Sequence, residues 1–159
     1  MNNKFFVDTN VIIDLFNKKD KPHVNKLIQF MSDDNIELYI NDFVMAEVLQ
    51  GIKLQESNKY AQFKQYLENS FLIVDVDAKI ILNSVEVYRT CKANGINFNN
   101  ENICPVPNCN KIIYNSIDCI HYATCEQYEL TMLTNDNVFN KIDQITTNNI
   151  VAAIDTHSI

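Results

Sequence analysis

The sequence predicts an α/β fold, a three-layer α/β/α sandwich built on a mainly parallel sheet of four to five strands. Apolar runs of strand length (Phe5–Val7, Ile36–Ile40, Phe71–Val74 and Thr131–Thr134) alternate with longer stretches whose apolar residues recur every three to four positions. Parallel strands need a crossover of a dozen or more residues, usually a helix, so this alternation is the expected trace of repeated βα units. In addition, Asp8 and Asp136 each stand where an apolar run ends, the edge at which such sheets gather their ligands.

Each element has a local reason. A first strand spans Lys4 to Asp8, and a helix follows through Val11–Phe16 with Thr9 or Asn10 as its cap. Pro22 suits the first turn of a second helix reaching Ser32, with Val24, Leu27, Ile28 and Met31 on one stripe. After the second strand, Asn41-Asp42 opens a helix through Glu47 to Gly51. A more polar helix, Glu56 to Asn69, carries Tyr60, Phe63, Tyr66 and Leu67. The third strand, Phe71–Val74, leads to a long amphipathic helix from Asp77 to Ala93 that Gly95 stops. Residues 97–114 are Asn-rich and hold Pro105, Pro107, Cys104 and Cys109; they read as an insertion or long loop in a single domain spanning residues 1–159. Ser116 caps a helix to Tyr128, the fourth strand is Thr131–Thr134, and Val138–Ile142 is a short helix. Asn149–Ile154 reads as an edge strand and Asp155-Thr156-His157 as a frayed tail.

Composition narrows the function classes. With 47% apolar residues and only two Gly in 159, the chain can build a real core and is not a disordered protein. It contains no apolar run of membrane-spanning length. Met1-Asn2-Asn3-Lys4 lacks a signal-peptide pattern, so cytoplasmic residence is expected. Five cysteines, an odd number, point to free thiols, and their spacing lacks the paired C-x2-C pattern of a zinc site. The formal charge of −7 leaves no basic footprint for nucleic acid, although acids devoted to metal ions count fully in that sum. Lys18, Lys19, Lys21, Lys53, Lys59 and Lys64 read first as a solvated face and second as a phosphate-tracking rim.

Four carboxylates are the candidates for chemistry: Asp8, Glu47, Asp118 and Asp136. In the expected sheet Asp8 and Asp136 end strands, Asp118 lies in the first turn of a helix that starts at the same edge, and Glu47 lies early in another, one turn after Phe43 and Val44. Each has a bland reading: Asp8 as a helix cap, Asp118 as a dipole partner, Asp136 as a turn residue, Glu47 as a surface acid. None of these explains why all four reach one rim. Acids gathered without basic partners repel one another, so the set makes sense as a divalent-cation site of a metal-dependent enzyme.

These residues resemble a known family. Phe5-Phe6-Val7-Asp8-Thr9-Asn10-Val11-Ile12-Ile13-Asp14 is similar to the opening strand and turn of PIN-domain ribonucleases, in particular the VapC-like toxins of bacterial type II toxin–antitoxin pairs. Phe43 to Gly51, with Glu47, resembles their second motif; Ser116 to Ala123, with Asp118, their third; Leu133 to Phe139, with Asp136, their fourth. The match covers nearly the whole chain in order. Two departures stand out: Val138 occupies the position where the family often has a second acid, and residues 97–114 are longer than the usual link.

The resemblance implies a metal-dependent endoribonuclease in which Asp8, Glu47, Asp118 and Asp136 hold one or two Mg²⁺ or Mn²⁺ ions, with Thr9, Asn10 and Thr134 in support. Hard cations prefer carboxylate and water oxygens, which agrees with a rim on which the sequence places neither His nor paired Cys. In-line hydrolysis would leave 5′-phosphate and 3′-hydroxyl ends. The implied partners are RNA, a cognate antitoxin seated around residues 42–69 near Tyr60, Phe63 and Tyr66, and a second copy in a homodimer. Tyr60, Phe63 and Tyr66 have core packing as their alternative. A housekeeping PIN nuclease and an inactive PIN-like module remain as alternatives. Dehalogenase-like and receiver phosphotransfer domains are disfavoured, because position 10 is Asn rather than Asp and no Lys follows Leu133 or Ile154.

Overall fold

The computed structural model describes residues 3–98, 102–103, 112–114 and 117–152. In chain order the elements are β1 (Lys4–Val7), α1 (Thr9–Phe16), α2 (Pro22–Met31), β2 (Glu37–Asn41), α3 (Asp42–Gln50), a 3-10 turn (Leu54–Glu56), α4 (Ser57–Ser70), β3 (Leu72–Val74), α5 (Ala78–Ala93), β4 (Asn102–Ile103), β5 (Ile112–Tyr114), α6 (Ile117–Tyr128), β6 (Thr131–Leu133) and α7 (Asn137–Thr146). Four strands form one sheet in the order β3-β2-β1-β6, every neighbouring pair parallel. The chain steps from β1 outward to β2 and β3, then returns to place β6 on the other side of β1. The crevice above β1 and β6 is therefore a topological switch point.

Burial explains the apolar runs. Adjacent strand residues point to opposite faces, yet Phe6 and Val7, like Met132 and Leu133, are all fully buried. Both faces of the inner strands must be covered, as in other parallel sheets. Helix contacts fall into two sets, α1 with α2 and α3 (and α3 with α4), and α5 with α6 and α7, which gives the three-layer α/β/α sandwich. At the sheet's edge, β3 leaves Leu72 and Ile73 exposed.

Local chemistry sets the helix ends. Asn41 caps α3 by accepting from Val44 N (3.0 Å), and Asp77 caps α5 by accepting from Ile80 N (2.9 Å). Gly95, at φ +79°, closes α5 in the left-handed conformation; Gly95 N donates to Lys92 O and Ile96 N to Cys91 O, both backbone bonds of a Schellman turn. Between α1 and α2, buried Asp14 accepts from Lys19 Nζ (2.7 Å) and Lys21 Nζ (3.1 Å) and pairs with His23 Nε2 (2.9 Å).

Three sequence expectations need correction. The Asn149–Ile154 strand reduces to one parallel bridge, Met132 to Val151, because Asp143 accepts from Ile150 N and Val151 N and holds the segment at β6; residues 153–154 lie outside the described residues. Part of the 97–114 segment is regular, since β4 and β5 pair antiparallel. Helix α7 runs on to Thr146, where Tyr122 Oη and the Thr146 hydroxyl meet at 2.6 Å. Ser116, Cys104, Cys109 and the 155–157 tail lie outside the described residues, while Cys91, Cys119 and Cys125, the described cysteines, are buried and not joined in disulfides.

Candidate active site

Strand register builds the site. Val7 of β1 pairs with Leu133 of β6, so the next residues, Asp8 and Thr134, emerge side by side at the carboxyl edge. Asp8 N donates to Leu133 O (3.1 Å), and the Thr134 hydroxyl donates to Asp8 Oδ2 (2.8 Å). Thr134 Oγ1 also accepts from Asp136 N (3.0 Å), so one threonine ties the two strand ends together.

Asp8 holds the cap position of α1, but its carboxylate makes no capping bond. Asn41, Asp77 and Asp136 do cap their helices. The bland reading of Asp8 as a helix cap therefore fails, and the helix starts at Thr9 rather than after it. The Asp8 side chain turns inward, where burial pushes its carboxyl up to about 6 and the nearby charges of Asp118 and Glu47 add to the rise. His121 and the Thr134 hydroxyl oppose that rise.

Glu47 sits one turn into α3, partly buried, and its Oε2 accepts from the Thr9 hydroxyl (2.5 Å) and meets His121 Nε2 at 3.1 Å. Burial favours its neutral form, but His121 and Thr9 outweigh that and hold its carboxyl below the usual range. Behind the histidine, Asn41 completes a chain. Asn41 Oδ1 is occupied by Val44 N, so Nδ2 faces His121 Nδ1 (3.2 Å) and Thr124 Oγ1 (3.1 Å). An amide NH₂ can only donate, so Nδ1 accepts and Nε2 carries the hydrogen given to Glu47. The backbone cap of α3 thereby selects the imidazole tautomer that orients Glu47.

Asp118 lies in the first turn of α6 and lines a cavity of about 410 Å³ together with Asp136 at the start of α7. Asp136 Oδ1 accepts from Val138 N (2.9 Å), so this acid has a capping task as well as a place at the edge.

A family model, the PIN domain, matches residues 5–145. The chain belongs to the PIN domain family. Its fold is also that of several solved structures. VapBC2 from Rickettsia felis bound to a promoter DNA fragment matches with a TM-score of 0.66 at 19% identity, over 94% of this chain and 97% of that one. FitAcB from Neisseria gonorrhoeae matches at 0.63 and 19%, over 94% and 96%. The Mycobacterium tuberculosis toxin VapC20, described as cleaving the Sarcin-Ricin loop, matches at 0.57 and 14%, over 86% and 93%. No curated protein sequence matches significantly.

Within this PIN domain the predicted residues are distributed as follows. Asp118 and Glu47 come close enough to Asp8 for their charges to act on it, and Asp118 and Asp136 share a cavity. Thr9 and Thr134 are buried on carboxylates, whereas Asn10 is exposed beside Thr9. Among the described residues, no three Asp, Glu, His or Cys side chains are drawn tightly enough together to enclose an ion; Asp8, Glu47 and Asp136 are each bonded to a protein partner. The donor chemistry fits a hard divalent cation: carboxylate and hydroxyl oxygens, with mutual acid repulsion that a cation would offset. Sequence reasoning put no histidine on this rim, and His121 corrects it. The signal was present in Asp118, His121 and Thr124, which recur every three residues and so share one face of α6.

Proposed function

We propose that this PIN domain is a metal-dependent endoribonuclease and the toxin of a bacterial toxin–antitoxin pair. The observation that carries the proposal is Asp8: buried at the switch point, released from capping, and facing the charges of Asp118 and Glu47. A purely structural acid would be spared that repulsion.

Asp8, Glu47, Asp118 and Asp136 would hold one or two Mg²⁺ or Mn²⁺ ions, which supply a polarised phosphate and an ionised attacking water when bound. Thr134 fixes the Asp8 carboxylate from one side. Thr9 and His121 fix Glu47, so its remaining oxygen is aimed by two bonds rather than left to rotate. Asp118 and Asp136 bound the cavity into which the RNA backbone would enter. The expected partner is a cognate antitoxin, in keeping with the toxin–antitoxin complexes whose chains share this fold. Its seat would be the α3–α4 face, where Tyr60 and Tyr66 are exposed; Phe63 is half-buried over Phe16 at 4.1 Å and belongs to the packing. A homodimer and residence in the cytoplasm complete the proposal; among the described residues no helix is long and apolar enough to cross a membrane.

The test is cleavage of total RNA by wild type, Asp8→Asn and Asp118→Asn with Mg²⁺, Mn²⁺ or chelator. Wild type should cut only with metal, leaving 5′-phosphate ends, and both variants should lose at least ~100-fold in rate. Unchanged cleavage and metal affinity in both variants would defeat the reading.

A further inference from the structure

We infer that the cavity between the turn after α5 and the first turn of α7 is a nucleotide subsite, in which Lys141 holds a phosphate flanking the scissile one and the amides of Asn97 and Asn137 contact the base. The inference rests on the nuclease reading and extends it to how the substrate is held.

The cavity, about 410 Å³, falls within the roughly 300–1,000 Å³ usual for small-ligand sites. Asp118 and Asp136 line it, so it opens directly onto the acidic edge. One wall is held rigid by packing: the Schellman turn at Gly95 delivers Ile96 and Phe98 into buried positions, and Phe98 stacks on Tyr88 with centroids 5.7 Å apart. The facing wall is one side of α7, where Asn137, Val138 and Lys141 stand at i, i+1 and i+4.

The chemistry of the lining is mixed. Lys141 is the one cation among the described lining residues, set against two carboxylates, two amides and the apolar Val138 and Phe98. A metal site alone would gain nothing from an ammonium, which repels the ion. A nucleotide of single-stranded RNA uses every component: a phosphate for the ammonium, base edges for amides that both donate and accept, and a base or ribose face for the apolar strip. Asn97 is already oriented, because its Oδ1 accepts from Lys92 Nζ (3.2 Å). Val138 contributes here as well. An acid at that position would bring a third carboxylate into a cavity that must admit a phosphate.

The experiment compares wild type with Lys141→Met, Lys141→Arg and Asn137→Ala on a labelled single-stranded RNA, and measures binding by anisotropy in the non-cleaving Asp8→Asn background. Lys141→Met should raise KM about tenfold with kcat within about twofold, and flatten the slope of log KM against log salt by about 0.7, the share of one phosphate contact. Lys141→Arg should restore both, and the added Lys141→Met change should weaken binding to Asp8→Asn by a similar factor. Asn137→Ala should shift base preference at one position beside the cut in a randomised RNA pool. Because Lys141 is exposed, the melting temperature of Lys141→Met should match wild type. Normal cleavage by wild type with unchanged KM and salt slope in Lys141→Met would overturn the subsite and leave the nuclease reading standing. A fall in kcat alone would also overturn it, placing Lys141 at the reacting phosphate. If wild type neither cleaves nor binds RNA, both readings fall together.

Discussion

Replacing Asn41 tests the hydrogen-bond chain behind Glu47. Asn41 is fully buried and makes three bonds: it caps α3 at Val44 N, faces His121 Nδ1 and donates to Thr124 Oγ1. Asn41→Ala removes the cap, worth about 1 kcal/mol. It also strands His121 Nδ1 in a dry site, at about 1–3 kcal/mol for an unmade buried bond. Thr124 keeps its own bond to Ile120 O (2.8 Å), so its loss is small. The sum is about 3 kcal/mol, which for a chain of this length lowers the melting temperature by about 6–12 °C. Asn41→Ser can still cap α3 and should lose about 1 kcal/mol less. Thermal and urea unfolding of both variants provide the measurement. Pairing Asn41→Ala with His121→Phe should give a combined loss smaller than the sum, since His121 no longer has a nitrogen to satisfy. Equal losses in the Ala and Ser variants, or strict additivity with His121→Phe, would refute the proposed chain.

Asp8→Asn should stabilise the metal-free protein at pH 7 while abolishing RNA cleavage. The folded state raises this carboxyl from 3.8 to about 6, so its contribution to stability is present below pH 4 and lost as pH rises through 6; the ionised acid costs about 3 kcal/mol at neutral pH, which the amide avoids. A lower urea midpoint for Asp8→Asn at pH 7 without metal would contradict this. Asp14 has the opposite sign, because Lys19, His23 and Lys21 bind its ionised form and hold its carboxyl well below the usual range. Its contribution is present above about pH 4 and is lost on acidification, so Asp14→Asn should flatten the acid limb of the stability curve. Asp143→Ala should free residues 150–152 and speed amide exchange at Met132 and Ala152, whose N–H groups form the bridge, with little change in the Phe6 region.

Much of the fold could be read in the chain because its signals are local. The caps at Asn41 and Asp77 and the stop at Gly95 stand where the turn chemistry puts them, and α1, α2, α5 and α6 follow their apolar stripes to within a residue or two. The Asn149–Ile154 strand misled because its apolar residues suit a ladder, but Asp143 bonds Ile150 N and Val151 N and leaves one bridge. Phe63 and Tyr66 looked equivalent on one stripe and both meet Phe16, yet Phe63 lies half-buried over its ring at 4.1 Å while Tyr66 touches it edge-on at 5.4 Å and stays exposed, a difference decided by tertiary packing.

The sequence by itself determined the parallel α/β plan and the edge to which Asp8, Glu47, Asp118 and Asp136 are brought, because periodicity and strand ends are written in neighbouring residues. Only the tertiary structure decided that Asp8 is held by Thr134 from 126 positions away, that Glu47 is held by His121 from 74, and that Asn41 selects the tautomer between them. Those pairings come from strand register and from helices converging over one sheet edge, and no local pattern in the chain encodes which distant side chains that register will bring together.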